Sequence, residues 1–176
     1  MNVWYSLSDI PGNEASVVTI GNFDGMHNGH KKVIATCVER AHKLGVDAVA
    51  ITFDPHPIQV HKPEVGLQLI SPLRDRLDAM EAAGLDATLV AHYDKSVYSL
   101  EPDEFVYEFL VERCGAREVV VGEDFRFGRG NAGTIDTLRE LGSRYGFGVI
   151  TVTDIEAPEG RRWSSSWVRE LLAAGD

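Results

Sequence analysis

The chain has 176 residues, 44% hydrophobic and 25% charged, with 17 basic against 27 acidic side chains and a formal charge of −10. That length suits one globular domain with a sizeable core, and the acidity excludes general binding to nucleic acid or to an anionic membrane surface. No apolar stretch approaches membrane-spanning length, and residues 1–11 hold no basic segment followed by an apolar run, so neither a membrane anchor nor a signal peptide is expected. Cys37 and Cys114 define no framework of spacings and read as buried, reduced thiols of a cytoplasmic protein. A phosphorylated ligand would need a local basic patch, for which Lys31, Lys32, Arg126, Arg129, Arg161, Arg162 and Arg169 are candidates.

Residues 16–20 are apolar and β-branched and predict a first strand. Gly21-Asn22-Phe23-Asp24-Gly25-Met26-His27-Asn28-Gly29-His30 follows, a glycine-rich turn into a helix over 31–43 that ends near Gly45. A strand, a turn able to approach a bulky anion and a helix N-terminus in that order suit a nucleotide phosphate. Residues 48–53 predict a second, buried strand, ending in Thr52-Phe53-Asp54-Pro55-His56-Pro57, where two prolines stop the pairing. Residues 58–70 lack periodicity and read as an irregular connection. Ser71-Pro72 reads as a hydroxyl cap and first-turn proline of a helix closed by Gly84.

Residues 88–91 predict a third strand, Pro102 opens a helix ended by Gly115, and 118–121 predict a fourth strand. A second glycine-rich loop, 122–133, leads to a helix over 134–145 and a fifth strand at 149–152. The last helix starts around Ser165, and residues 173–176 read as the beginning of a linker. The alternation predicts an α/β, Rossmann-like fold: a five-stranded, mostly parallel sheet with helices on both faces. Ligands of such sheets sit at the carboxyl ends of the strands, where the loops after strands one, two and four lie.

His27 and His30, taken alone, fit a helix-face coincidence or a capping contact. Zinc would need four ligands, and only His56 and Asp54 stand as extras. Inside a glycine-rich strand-to-helix turn, imidazole N–H groups can donate to phosphate oxygens whose charge grows in a transition state. In Ser164-Ser165-Ser166-Trp167-Val168-Arg169 the hydroxyls serve equally as ordinary caps. With Arg169 one turn on, they also suit a polyphosphate. Gly128 to Gly133 matches a dinucleotide fingerprint, with Asp154 near the acidic position, but Asp124 to Phe127 separate it from its strand and the match is rejected. Phe125 and Phe127 alternate, so one can plug the core while the other faces the cleft, beside Phe53 to Pro57, as a flat heteroaromatic ring would need.

Together these elements resemble the FMN adenylyltransferase (FAD synthetase) module of the prokaryotic bifunctional riboflavin kinase/FMN adenylyltransferases. His27-Asn28-Gly29-His30 alone marks only the wider nucleotidyltransferase superfamily. Phe53-Asp54-Pro55-His56-Pro57 and Asp124-Phe125-Arg126-Phe127-Gly128 make the likeness specific. The resemblance implies a Rossmann-like nucleotidyltransferase fold over residues 1–176 and transfer of AMP from ATP to FMN, with Mg²⁺, giving FAD and pyrophosphate. It implies His27, His30 and Arg169 as catalytic, Gly21, Asn22, Phe23, Asp24, Gly25, Gly29, Ser164, Ser165 and Ser166 as ATP-binding, and Phe53, Asp54, Pro55, His56, Pro57, Asp124, Phe125, Arg126 and Phe127 as flavin-binding. Two departures stand out: Ser166 where the family has Thr, and the bulk of Trp163 and Trp167. The family's C-terminal riboflavin kinase module is expected to be absent from these residues. The rival readings are a nucleotidyltransferase acting on phosphopantetheine or nicotinamide mononucleotide, and a non-catalytic flavin or nucleotide sensor.

Overall fold

The computed structural model describes residues 1–175. Six strands form one sheet: β1 (Asn2–Trp4), β2 (Ser16–Ile20), β3 (Asp47–Asp54), β4 (Ala87–His92), β5 (Ala116–Gly122) and β6 (Gly148–Val152). Their spatial order is β1-β4-β3-β2-β5-β6, and every pairing is parallel. The expected α/β architecture is observed, with one strand more than the five anticipated. β1 is three residues long and only half buried, so no apolar run announces it; pairing with β4 (Val3 opposite Thr88) makes it a strand.

The helices are α1 (Asn28–Leu44), α2 (Pro57–His61), α3 (Leu73–Ala82), α4 (Lys95–Tyr98), α5 (Pro102–Phe105), α6 (Ile135–Tyr145) and α7 (Ser165–Ala174). α5 continues as a π-helical stretch, Val106–Arg113. Side chains alternate across the strands. Val17, Ala48, Ala50 and Val120 therefore pack on one face against Ile34, Cys37 and Ala41 of α1 and Met80 of α3. Their neighbours Val18, Val49, Ile51 and Val119 pack on the other against Phe105, Phe109, Leu110 and Leu138. Covered on both faces, these strands read as continuous apolar runs rather than alternating ones. Both cysteines are buried and free. Among the described residues, no helix is long and apolar enough to cross a membrane.

Three local expectations change. The supposed irregular connection holds α2, capped by His56, and a short 3₁₀ turn, Pro63–Val65. Ser71 is not a helix cap: Pro72 holds that position, and the Ser71 amide instead donates to the Asp24 carboxylate at 3.0 Å. The expected linker start is helix as far as Ala174, with Gly175 as its left-handed cap, while Asp176 falls outside the described residues.

The strand order places the site. β2 lies between β3 and β5, so the chain reverses its direction of winding beside β2. Loops leaving β2 and β5 then part toward opposite faces and open a crevice at the carboxyl edge.

Candidate active site

The turn from β2 into α1 is shaped by what it must pack. Phe23 takes a left-handed backbone (φ 51°) that sends its ring into the core, 2% exposed and edge-on to the His30 ring. Gly25 has φ 81°, and a Cβ there would lie 2.8 Å from the Ile70 side chain, so only glycine fits on both counts. His27 caps α1: its Nδ1 accepts the N–H of Gly29 at 3.1 Å and of His30 at 3.4 Å. A Cβ on Gly29 would stand 3.0 Å from the His27 ring, so the small residue is what lets the imidazole fold back over the helix start.

This capping revises one expectation. The Gly29 and His30 amides of the first turn of α1 are not free for an anion; His27 takes both. Because Nδ1 is an acceptor, the proton of the neutral ring sits on Nε2. The helix thus presents its positive end through the imidazole, whose Nε2–H the donated hydrogen bonds polarise. His30 stacks on His27 with ring centroids 3.7 Å apart and 23° between planes. Burial lowers the His27 pKa, with Arg162 adding to it and Asp154 opposing. Burial and the neighbouring His27 push His30 down to about 3, against Asp24. Both rings are therefore neutral at pH 7, and His30 Nδ1 is buried without a partner.

Two cavities meet at this turn. The first, of about 290 Å³, is lined by His27, Gly29 and His30, by Asp124 and Asp154, by Arg162 and Trp163, and by Ser164 and Ser165. The second, of about 330 Å³, is lined by Asn22, Phe53, His56, Pro57, Tyr93, Tyr98, Phe125, Arg126 and Phe127. Ile20, Gly21 and Phe125 border both. Phe127 is 5% exposed and supports Phe125, its ring stacked at 5.5 Å, so both rings lie on one side and border the cavity instead of dividing between core and cleft as anticipated. Across the second cavity Phe53 meets Tyr93 edge to face, and the Tyr93 hydroxyl shares a 2.8 Å hydrogen bond with His61.

A buried ion pair holds the turn to the last helix. The Asp24 carboxylate, 1% exposed, accepts the amides of Ile70 and Ser71 at 3.0 Å each and pairs with Arg169. The Ser165 hydroxyl donates to the Asp24 carbonyl at 3.0 Å, and Arg169 Nε donates to the Gln68 carbonyl at 2.9 Å. Under the same turn, Arg76 is fully buried and donates to the Asn22 carbonyl at 2.8 Å, which Thr52 Oγ1 also reaches at 3.2 Å. Burial lowers the Arg76 pKa, against Asp24 and Asp54.

Several residues expected at the ligand stand elsewhere. Asp24, Gly25 and Arg169 line neither cavity, because they are committed to the tie just described. Ser166 is exposed, one step around α7 from the lining Ser165. Asp54 and Pro55 line neither cavity, and Asp54 lies 3.9 Å from Arg76. Asn22 lies on the aromatic cavity rather than the polar one, and Asp124 on the polar cavity rather than the aromatic one. Asp124 receives Arg162 at 2.6 Å, and Asp154 receives the same guanidinium at 2.9 Å. Among the candidate cations, Arg162 lines the first cavity and Arg126 the second; Lys32 is spent on Thr153, Arg129 on Glu101 and Arg161 on Glu170. Tyr93 and Tyr98 were missed by sequence reasoning, although Tyr93 directly follows β4 at the ligand-bearing edge.

A family model described as FAD synthetase matches residues 9–167. The chain is 38% identical over 167 residues to a protein of Geobacillus thermodenitrificans named provisionally as a bifunctional riboflavin kinase/FMN adenylyltransferase, covering 95% of this chain and 86% of that one. It is 37% identical over 166 residues to the bifunctional riboflavin kinase/FMN adenylyltransferase of Pseudomonas fluorescens, covering 94% of this chain and 53% of that one. The chain thus spans most of the first relative but only about half the length of the second. In fold it is similar to a crystal structure from Streptococcus pneumoniae described as a macrolide-efflux protein, with a TM-score of 0.82 at 24% identity over 97% of this chain and 56% of that one.

Proposed function

This chain belongs to the FAD synthetase family, and on that premise we propose that it transfers the adenylyl group of ATP to FMN, forming FAD and pyrophosphate. The observation that carries the reading is the shared wall. Ile20, Gly21 and Phe125 border both cavities, so a phosphate carried by a ring in the aromatic cavity meets the phosphates of a nucleotide in the polar one.

The chemistry asks little of the protein beyond placement. The phosphate of FMN has a second pKa of about 6 and is largely dianionic near neutral pH, so no general base is needed. Its oxygen attacks the α-phosphorus in line; the bond from that phosphorus to the bridging oxygen breaks, and pyrophosphate leaves with the electron pair. His27 Nε2–H and the His30 ring supply neutral donors to the α-phosphate oxygens as their charge grows. Neutrality matters here, since no imidazolium has to give up its proton as product leaves. Ser164, whose hydroxyl accepts the Trp167 amide and keeps its own O–H to donate, holds the polyphosphate together with the Ser165 and Ser166 amides at the start of α7, while Arg162 offsets the charge of Asp124 and Asp154 beside it. Arg169 acts through Asp24 as a positioning residue. Phe53, His56, Pro57, Tyr93, Phe125 and Arg126 hold the flavin.

Magnesium fits this cavity on the chemistry of its donors: such an ion uses one or two carboxylates plus substrate phosphates, and Asp124 and Asp154 line the wall, where the ion would take the place that the Arg162 guanidinium holds between them. Bound there, it would neutralise polyphosphate charge. We assign the kinase activity named for the Pseudomonas fluorescens relative, of which the match covers 53%, to the part of that protein outside the match. A cytoplasmic setting accords with the use of ATP and with two free thiols. The reading is tested by incubating the purified chain with ATP, Mg²⁺ and FMN and separating flavins by chromatography. FAD is expected, and its absence from a folded chain that binds ATP overturns the proposal.

A further inference from the structure

Trp163 is left unused by the mechanism above, yet it lines the polar cavity beside Val33 of α1 and Val152 at the end of β6. The chain around it is built to hold it still. Its amide donates to the Ile155 carbonyl at 3.1 Å, closing a narrow loop in which Ala157 also bonds Arg161 at 2.8 Å. The Trp163 and Trp167 rings pack with centroids 4.7 Å apart. Trp167 in turn carries the Arg161 guanidinium 5.1 Å above its ring, and Glu170 anchors that guanidinium at 2.6 Å. The half-buried indole is thus backed by a second aromatic and a fixed cation, and the residue borders the space next to the paired imidazoles.

We propose that Trp163 is the wall against which the purine ring of ATP stacks, and that it sets the preference of this site for purine over pyrimidine nucleotides. The inference rests on the adenylyl-transfer reading and adds the residue that recognises the base. The phosphate end of the cavity is polar and fixed by His27, His30 and Ser165, so a base extending from it meets Val33, Val152 and Trp163, apolar and aromatic surfaces that suit a π-face. A purine covers more of an indole than a pyrimidine does, so the same wall discriminates by area. Trp167 and Arg161 are positioning residues: they hold the indole without reaching the nucleotide.

The test compares wild type, Trp163→Phe and Trp163→Leu, by calorimetric titration with the α,β-methylene analogues of ATP and of CTP and by FAD-forming kinetics with pyrophosphate as product inhibitor. Trp163→Leu is expected to weaken analogue binding and raise the KM for ATP by about 10- to 100-fold, while Trp163→Phe, which keeps a stacking face, stays within about 5-fold of wild type. Turnover at saturation, the KM for FMN and the inhibition constant of pyrophosphate, which has no base, should be unchanged in both. Unaltered binding of the ATP analogue in Trp163→Leu, or an unchanged ratio of ATP-analogue to CTP-analogue affinity, overturns the proposal. So does a pyrophosphate constant that worsens by the same factor as the ATP one, since Trp163 would then be supporting the phosphate site. A wild-type chain that binds the analogue but forms no FAD defeats the adenylyl-transfer reading instead, and leaves the binding comparison to judge Trp163 by itself.

Discussion

The two cavities share a wall and differ in how they are made. On the polar side, main-chain hydrogen bonds and buried charge do most of the holding: His27 is fixed by the amides of Gly29 and His30, the turn itself by Asp24 against Ile70, Ser71 and Arg169. On the aromatic side, rings lean on rings, Phe53 on Tyr93 and Phe125 on Phe127, with few hydrogen bonds between them. The first construction fixes donors before the substrate arrives, which is what charge stabilisation in a transition state demands. The second supplies shape and area, which serve binding in ground and transition states alike. Substitutions on the two sides should therefore separate into effects on turnover and effects on KM.

The largest departure should come from the tie behind the polar cavity. Asp24→Ala strands the Arg169 guanidinium and the amides of Ile70 and Ser71, and chemical denaturation should show a loss of about 3–5 kcal/mol. Next come the imidazoles. His27→Ala or His30→Ala should slow FAD formation about 10²–10³-fold with the KM for ATP little changed, and a large rise in KM with turnover preserved would break the contrast between the cavities. On the other side, Tyr93→Ala should raise the KM for FMN about 3- to 10-fold and leave the turnover of saturated enzyme alone, measured by the same assay.

Acid should sharpen the picture further. His30 has a folded pKa of about 3, well below the 6.5 of a free imidazole. The unfolded chain therefore binds a proton that the folded one refuses, and stability is lost as pH falls from about 6.5 toward 3. Thermal melts should show this decline, with His30 contributing at most about 1.4 kcal/mol per pH unit. His30→Gln, which cannot titrate, should remove that share of the slope. The smallest effect belongs to Ser166→Thr: the side chain is exposed and lines neither cavity, so stability should stay within about 0.5 kcal/mol and kinetics should not move.

Much of the site was legible before the fold. The turn from Gly21 to His30, the Phe53–Pro57 and Asp124–Phe127 loops and the Ser164–Ser165 helix start do converge, because each follows a strand or opens a helix at the same sheet edge. What was not legible was the direction of individual side chains. Asp24 sits among ligand-facing residues in the sequence, yet its carboxylate turns inward because the left-handed step at Phe23 rotates the chain before it. Arg169 shares a helix turn with the serines, but the nearest buried acceptor is Asp24, which claims it. Ser166 lies one residue from Ser165, and the helical rotation between them is enough to put it in solvent.

By itself the sequence determined the order of strands and helices, through apolar runs and the glycines and prolines between them, and the kinds of group brought to the crevice. Local pattern suffices there because such signals act over a few residues. Only the tertiary structure decided that β1 is a strand at all, that the first amides of α1 serve His27 rather than a ligand, and that Asn22 and Asp124 face opposite cavities. Those outcomes depend on contacts between residues far apart in the chain, such as Asn2 with Ala87 and Asp24 with Arg169, whose partners no short stretch contains.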